Sequence, residues 1–285
     1  MSPSGPVWET VGPRRRARPG AAGRPLPEVP IDASQGLRAH LRSTRPSLGG
    51  WAVLREPRTA HAMAAAGLDW VGIDQQHGWN AGHDCTDLVA AVRAGGAHAL
   101  VRVGWNRPEE IGRVLDAGAD GVIVPMVESA EEARAAVAAA RYAPEGRRSW
   151  GATRTPYTSS PPDPAAVNAS TACLVMVESP AALDRVGEIA AVAGIDGVFL
   201  GPFDLSLALG VPLEQLLADR GEGSALRRVV AACAENGIVA AAYGGTPARA
   251  QLLGEHGFTV LAVGADDALF ADASAALVAQ ARALS

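Results

Sequence analysis

From about residue 50 onward, short runs of apolar and β-branched residues alternate with longer alanine-rich stretches, the pattern of repeated β-α units. Such runs fall at residues 51–54, 70–74, 99–103, 121–126, 173–178, 197–200, 238–242 and 258–263. Eight parallel strands with helices between them close a barrel, so the pattern predicts an α/β fold of the (β/α)8 TIM-barrel type. The competing architecture is an open doubly wound sheet, but no Gly-x-Gly-x-x-Gly turn follows the first strand. Local signals agree with the barrel. Ser129 with Glu131 and Glu132 opens a helix, Glu235-Asn236-Gly237 closes one, and Pro57, Pro108, Pro180 and Pro247 fall where helices should begin.

Two segments break the rhythm. Residues 1–33 carry Arg14, Arg15, Arg16, Arg18 and Arg24 among prolines, with no apolar period and no signal-peptide core, which predicts a disordered extension ahead of a barrel domain at 34–285. The prolines at 13, 19, 25 and 27 would interrupt the amphipathic helix of a transit peptide. Residues 144–170, rich in Arg, Pro, Ser and Thr, read as one long functional or disordered loop.

Composition narrows the chemistry. With 285 residues, 48% of them hydrophobic, the chain can bury a large single core, and no apolar run approaches the roughly 20 residues of a membrane span. A formal net charge of −5 gives no electrostatic reason to approach nucleic acid or a lipid surface. Cys85, Cys173 and Cys233 are few, scattered and odd in number, as expected of buried reduced thiols in a cytoplasmic protein. The 25 basic side chains are all arginine. Without lysine there is no Schiff base, which excludes lysine-imine aldolases and pyridoxal-phosphate enzymes, and no P-loop.

Polar residues just after barrel strands face the end where such enzymes place their sites. The second strand runs into Asp74-Gln75-Gln76-His77-Gly78, the third ends at Arg102, the fifth at Glu178, and the sixth continues into Gly201-Pro202-Phe203-Asp204. Glu178 and Asp204 come from neighbouring strands and suit Mg²⁺, Mn²⁺ or Co²⁺ as hard oxygen ligands; a helix N-cap or a surface ion pair is the competing reading of each. An inward Arg102 would be buried and need an anion, either a substrate carboxylate or a structural salt bridge. His77 is the candidate acid/base because imidazole titrates near neutrality, with Asp74 placed to orient its loop and Asp116 a second candidate partner. Trp70, Trp79, Trp105 and Trp150 wall a pocket or pack the barrel.

Several ordered blocks resemble the HpcH/HpaI aldolase/citrate lyase family of metal-dependent class II pyruvate aldolases, typified by 2,4-dihydroxyhept-2-ene-1,7-dioate aldolase. They span residue 35 to the C-terminus: Gly67-Leu68-Asp69-Trp70, Ile73-Asp74-Gln75-Gln76-His77-Gly78, Val101-Arg102-Val103-Gly104-Trp105-Asn106, Leu115-Asp116-Ala117-Gly118-Ala119, Val124-Pro125-Met126-Val127, Arg147-Arg148-Ser149-Trp150-Gly151, Glu178-Ser179 and Gly201-Pro202-Phe203-Asp204-Leu205-Ser206. The resemblance implies that Glu178 and Asp204 bind the metal, that Arg102 holds the 2-oxo acid and its enolate oxygen, and that His77 is the acid/base paired with Asp116. It also implies that Trp51, Gln76 and the block 201–204 contact substrate, and that the barrel forms a hexamer or trimer whose last helix, 267–284, packs on a neighbouring subunit. Gln76 stands where many members have Glu, Met176 replaces a polar residue, and Phe203 replaces a small one, which puts the aldehyde side of the pocket in question. The Asp-x-Gln-His pattern is also similar to macrophomate synthase, a decarboxylating relative.

The expected function is a carbon-carbon lyase that forms or uses pyruvate enolate and cleaves or makes 4-hydroxy-2-oxo acids with an aldehyde partner. An oxaloacetate decarboxylase or decarboxylative synthase shares the same enolate. A non-catalytic barrel that binds a 2-oxo acid is the reading from another class, and the joint presence of His77, Arg102, Glu178 and Asp204 argues against it.

Overall fold

The computed structural model describes residues 36–43, 46–151 and 163–284. The extension expected at 1–33 and the middle of the 144–170 segment lie outside these residues. Strands β1 (Ser47–Ala52), β2 (Trp70–Asp74), β3 (His98–Arg102), β4 (Gly121–Val124), β5 (Ala172–Val177), β6 (Gly197–Leu200), β7 (Val239–Tyr243) and β8 (Val260–Ala265) form one closed barrel in chain order. Every neighbouring pair is parallel, and β8 returns to pair with β1.

The side-chain alternation of each strand divides the core in two. One set, including Val71, Ile73, Val101, Val122, Val175 and Leu200, packs under the helices. The other set, including Trp51, Trp70, Leu100, Ile123, Leu174 and Phe199, fills the lumen. Two tryptophans fit inside because the facing strand positions lack side chains: a Cβ on Gly49 would lie 2.1 Å from the Trp70 ring, and one on Gly72 would lie 2.5 Å from Trp51. This explains why β1 begins at Ser47, ahead of the expected residue 51: its glycines are strand residues kept bare by close approach, not a turn.

The N-terminal end of the barrel is closed by a repeated device. Asp69, Asp120 and Asp196 immediately precede β2, β4 and β6, and each accepts a backbone N–H of the preceding strand, from Leu48 (2.8 Å), Ala99 (2.8 Å) and Cys173 (2.9 Å). Helix Leu37–Leu41 lies beneath, its two leucines packed into the luminal cluster and Arg38 bonded to Asp196 at 2.5 Å. Arg141, fully buried, adds another guanidinium to Asp196 at 2.9 Å.

The segment 144–170 is not one loop, because Pro164–Ser170 is helical. Asp163 caps it through Ala165 N and Ala166 N, and Pro164 occupies the first turn, where its missing N–H costs nothing. Cys85, Cys173 and Cys233 are buried, as expected. Among the described residues no helix is long and apolar enough to cross a membrane. The last helix, Asp266–Arg282, buries only Asp266, while Leu269, Phe270, Leu277 and Val278 stay exposed.

Candidate active site

Asp74 and Arg102 end β2 and β3, are direct register partners, and continue the lumen-facing parity of Gly72 and Leu100. The strand geometry therefore sets a carboxylate and a guanidinium side by side inside the barrel mouth. Arg102 Nε donates to Asp74 Oδ1 at 3.0 Å and Nη2 to Oδ2 at 2.5 Å, with Asp74 1% and Arg102 9% exposed. The anion that a buried Arg102 requires is thus present in the protein, although the fork leaves Nη1 outside the pair. Asp74 also accepts from Trp51 Nε1 (3.2 Å) and from the backbone of Gln76 (3.0 Å) and His77 (3.1 Å). It orients the 75–77 turn, as expected of it, and the Trp51 ring lies under the guanidinium at 5.2 Å.

Glu178 follows β5 and is 5% exposed. It is not a helix cap, because Ser179 performs that role for the next helix. Its Oε1 accepts Met126 N at 2.8 Å, and Met126 reaches that position with φ 55, a left-handed conformation uncommon outside glycine. A Cβ on Gly201 would stand 2.8 Å from Glu178 Oε2, so the bare glycine keeps that oxygen open. Asp204 lies in the first turn of helix Pro202–Leu209, whose N-cap is Gly201, and makes no ion pair among the described residues. Burial raises the Glu178 carboxyl pKa, Met126 N–H opposes this, and the Asp204 charge raises it further. Two adjacent carboxylates, one buried and disfavoured as an anion, fit a divalent cation. Among the described residues no group of three or more His, Cys, Asp or Glu side chains could hold a metal, so water and substrate would have to supply the remaining ligands.

A cavity of about 190 Å³ opens at this end, lined by Trp51, Asp74, His77, Arg102, Gly201, Pro202, Phe203 and Asp204 together with Met176, Phe199 and Tyr243. Tyr243 had not been singled out from the sequence, although it ends β7 just before Gly244-Gly245, the strand-end rule that marks the other candidates. Its ring packs edge-on against Trp51 (5.3 Å) and at a tilt against Phe203 (5.9 Å). Arg249 lies over the outer Phe203 ring at 5.4 Å.

His77 is exposed and makes no side-chain hydrogen bond among the described residues. The structure does not bring Asp116 to it within the chain. Asp116 ends helix Pro108–Asp116, which runs back from the mouth, and accepts from Arg148 Nη2 at 2.7 Å in the groove beside that helix. Of the tryptophans considered, Trp70 fills the lumen, Trp150 packs at a tilt against Tyr142, Trp105 lines a cavity next to His77, and Trp79 is exposed.

The C-terminal mouth of this (β/α)8-barrel chain thus gathers an imidazole, a guanidinium and two carboxylates. The family follows from sequence: the model of the HpcH/HpaI aldolase/citrate lyase family matches residues 48–273, and the chain belongs to that family. A hydroxypyruvate/pyruvate aldolase of Roseovarius nubinhibens is 41% identical over 198 residues, 68% of this chain and 77% of that protein. A 4-hydroxy-2-oxo-heptane-1,7-dioate aldolase of Salmonella arizonae is 36% identical, covering 84% of this chain and 92% of its own length. The solved structure of macrophomate synthase superposes with a TM-score of 0.75 at 26% identity, over 87% of this chain and 89% of that one.

Two outcomes test this geometry. Asp74→Ala leaves the Arg102 charge buried without its partner and is expected to cost about 3–5 kcal/mol, whereas Asp74→Ala with Arg102→Met removes both charges and costs less; urea unfolding of the three proteins reads the difference. A double variant no more stable than the single one would contradict a coupled pair. The second concerns the raised Glu178 carboxyl, whose protonated form the fold favours. Its stabilising contribution is present below the unfolded carboxyl pKa and lost as pH rises through the folded value. Metal-free Glu178→Gln should therefore gain on the wild type as pH rises through the carboxylate range in thermal melts, and a constant difference would show that Glu178 carries no burial penalty.

Proposed function

We propose that this chain is a divalent-metal-dependent pyruvate aldolase that cleaves or makes 4-hydroxy-2-oxo acids, with Glu178 and Asp204 as the protein ligands of Mg²⁺, Mn²⁺ or Co²⁺. The observation that carries the reading is the carboxylate pair itself. Glu178 is disfavoured as an isolated anion and kept open on Oε2 by Gly201, in a chain with no lysine to hold a carbanion. When bound, the metal supplies Lewis-acid stabilisation of the charge that develops on the 2-oxo group.

The protein's own residues divide the remaining work. Arg102, fixed by Asp74 on two of its nitrogens, offers Nη1 to the 2-oxo acid. The first turn of helix Pro202–Leu209 presents unsatisfied backbone N–H groups beside Gly201, where a substrate carboxylate is stabilised. Trp51, Phe199 and Tyr243 wall the donor against water. In cleavage, His77 removes the proton of the 4-hydroxyl, the C3–C4 bond breaks with its electron pair passing into the enolate, the aldehyde leaves, and C3 is then protonated. Gln76 and Phe203 border the aldehyde side. Asp116, held by Arg148 within the chain, has no part in this scheme unless another subunit brings it to His77. The exposed apolar face of helix Asp266–Arg282 supports a hexamer or trimer in which that face packs on a neighbour. The buried thiols support a cytoplasmic location.

Removing the metal with EDTA should abolish pyruvate release from 4-hydroxy-2-oxo acids, and Mg²⁺, Mn²⁺ or Co²⁺ should restore it to the wild type but not to Glu178→Gln. Full turnover by the stripped enzyme would overturn the assignment. The decarboxylative reading shares the donor site but needs no initial base, so His77→Ala should depress aldol cleavage by about 10²–10⁴-fold and oxaloacetate decarboxylation far less. Equal losses on the two substrates would make His77 a structural residue.

A further inference from the structure

Cleavage of a 4-hydroxy-2-oxo acid and decarboxylation of oxaloacetate leave the same enolate, and both finish when a proton is placed on C3. We propose that Tyr243 is the acid that delivers this proton, from the side of the mouth opposite His77. The inference rests on the enolate chemistry proposed for this site and goes beyond it in naming the residue that ends the reaction and the face from which it works.

Tyr243 ends β7, and Val239 and Ala241, which share its parity, belong to the luminal cluster, so the phenol ring points into the barrel. In a closed barrel of eight strands in chain order, β7 lies across the lumen from β3, which sets Tyr243 opposite Arg102. Both line the cavity of about 190 Å³, and His77 lines it from the turn after β2, on the Arg102 side. Trp51 at 5.3 Å and Phe203 at 5.9 Å hold the Tyr243 ring between them. A 2-oxo acid held by Arg102, with the oxygen on C4 at His77, turns its other face to Tyr243.

The cavity offers few proton donors. Apart from its two carboxylates, the lining side chains that carry an N–H or O–H group are Trp51, His77, Arg102 and Tyr243. Trp51 Nε1 is committed to Asp74 at 3.2 Å, and a guanidinium does not release its proton. His77 stands on the face by which C4 departs, where the leaving aldehyde still covers C3. Tyr243 remains, and its hydroxyl makes no hydrogen bond among the described residues. Burial raises the phenol pKa, Asp267 adds to the rise and Arg102 opposes it, so the hydroxyl keeps its proton at neutral pH. The same Arg102 charge favours the tyrosinate once it has formed. In the step, the O–H electron pair stays on the phenol oxygen, the C2–C3 π pair forms the new C3–H bond, and the enolate oxygen restores the 2-oxo group. Solvent, which receives the 4-hydroxyl proton from His77, returns one to the tyrosinate.

The test is the stereochemical course at C3. Oxaloacetate carrying tritium stereospecifically at C3, decarboxylated in D₂O by the metal-loaded full chain, gives pyruvate whose methyl chirality reports the face of protonation. Delivery from the Tyr243 side predicts inversion by the wild type and a racemic methyl group from Tyr243→Phe, which keeps the ring and loses the hydroxyl. Deuterium exchange at C3 of pyruvate, followed by NMR, should slow by about tenfold or more in the same variant, with its melting temperature unchanged. Retention or a racemic product in the wild type overturns the assignment, and that measurement holds even where the variant fails to fold. Inversion and an exchange rate within about twofold of wild type in Tyr243→Phe overturn it equally. A wild type that neither decarboxylates oxaloacetate nor releases pyruvate from 4-hydroxy-2-oxo acids sinks the enolate reading itself, whereas turnover without inversion sinks only the role of Tyr243.

Discussion

The buried ion pair between Asp74 and Arg102 is the contact from which the rest of the mouth takes its geometry. A guanidinium 9% exposed at the end of a barrel strand is tolerable only with an anion whose direction matches its own fork. Parallel register supplies one on the adjacent strand at no cost in chain length, since Asp74 and Arg102 are opposite each other. The carboxylate then accepts from Trp51 and from two backbone N–H groups of the turn that carries His77. One acidic side chain therefore ties β1, β2, β3 and the acid/base candidate into a single rigid unit. Its oxygens are taken up by structure, and the fork leaves only Arg102 Nη1 outside the pair.

That unit explains why the lumen is aromatic. Trp51 must reach Asp74 with its indole N–H, so its ring lies across the barrel axis, and the facing positions have to be small. Gly72, opposite Trp51 in register, and Gly49, opposite Trp70, are the result. The floor of the mouth cavity is then set by Trp51, Phe199 and Tyr243, and its outer wall by Phe203 beneath Arg249. A bulky residue at 203 narrows the cavity on the side of the helix Pro202–Leu209.

Much of this was legible in the sequence, and the reasons differ by residue. The strands showed as apolar runs because parallel strands are buried on both faces, and Asp74, Arg102, Glu178 and Asp204 stood out as polar residues ending or closely following such runs. β1 was harder, since its glycines imitate a turn until the tryptophans they accommodate are seen in space. The helix at Pro164–Ser170 carried a visible Asp-Pro start, but its short alanine and serine content has no apolar stripe to set against the loop around it. The ionic partner of Arg102 depended on which residues share a register position, and the partner of Asp116 depended on the direction of a helix. Neither is a property of spacing along the chain. Tyr243 obeyed the strand-end rule yet is aromatic, and an aromatic there reads equally well as packing.

The carboxylate pair shows how the remaining strain is arranged. Met126 holds an unfavourable φ of 55, a conformation that costs roughly 1–3 kcal/mol for a side chain of its kind unless its surroundings enforce it. What the turn gains is a backbone N–H on Glu178 Oε1, which partly offsets the burial of that carboxyl while leaving Oε2 facing Gly201. Asp204, by contrast, sits at an exposed helix start where a negative charge is favoured by the helix dipole. The two carboxylates are thus unequal: Asp204 lies at an exposed helix start, whereas Glu178 is buried, and that burial together with the Asp204 charge raises its carboxyl pKa. A cation held by the pair would lower the cost that burial places on ionised Glu178, so its binding would be coupled to loss of that carboxyl's proton.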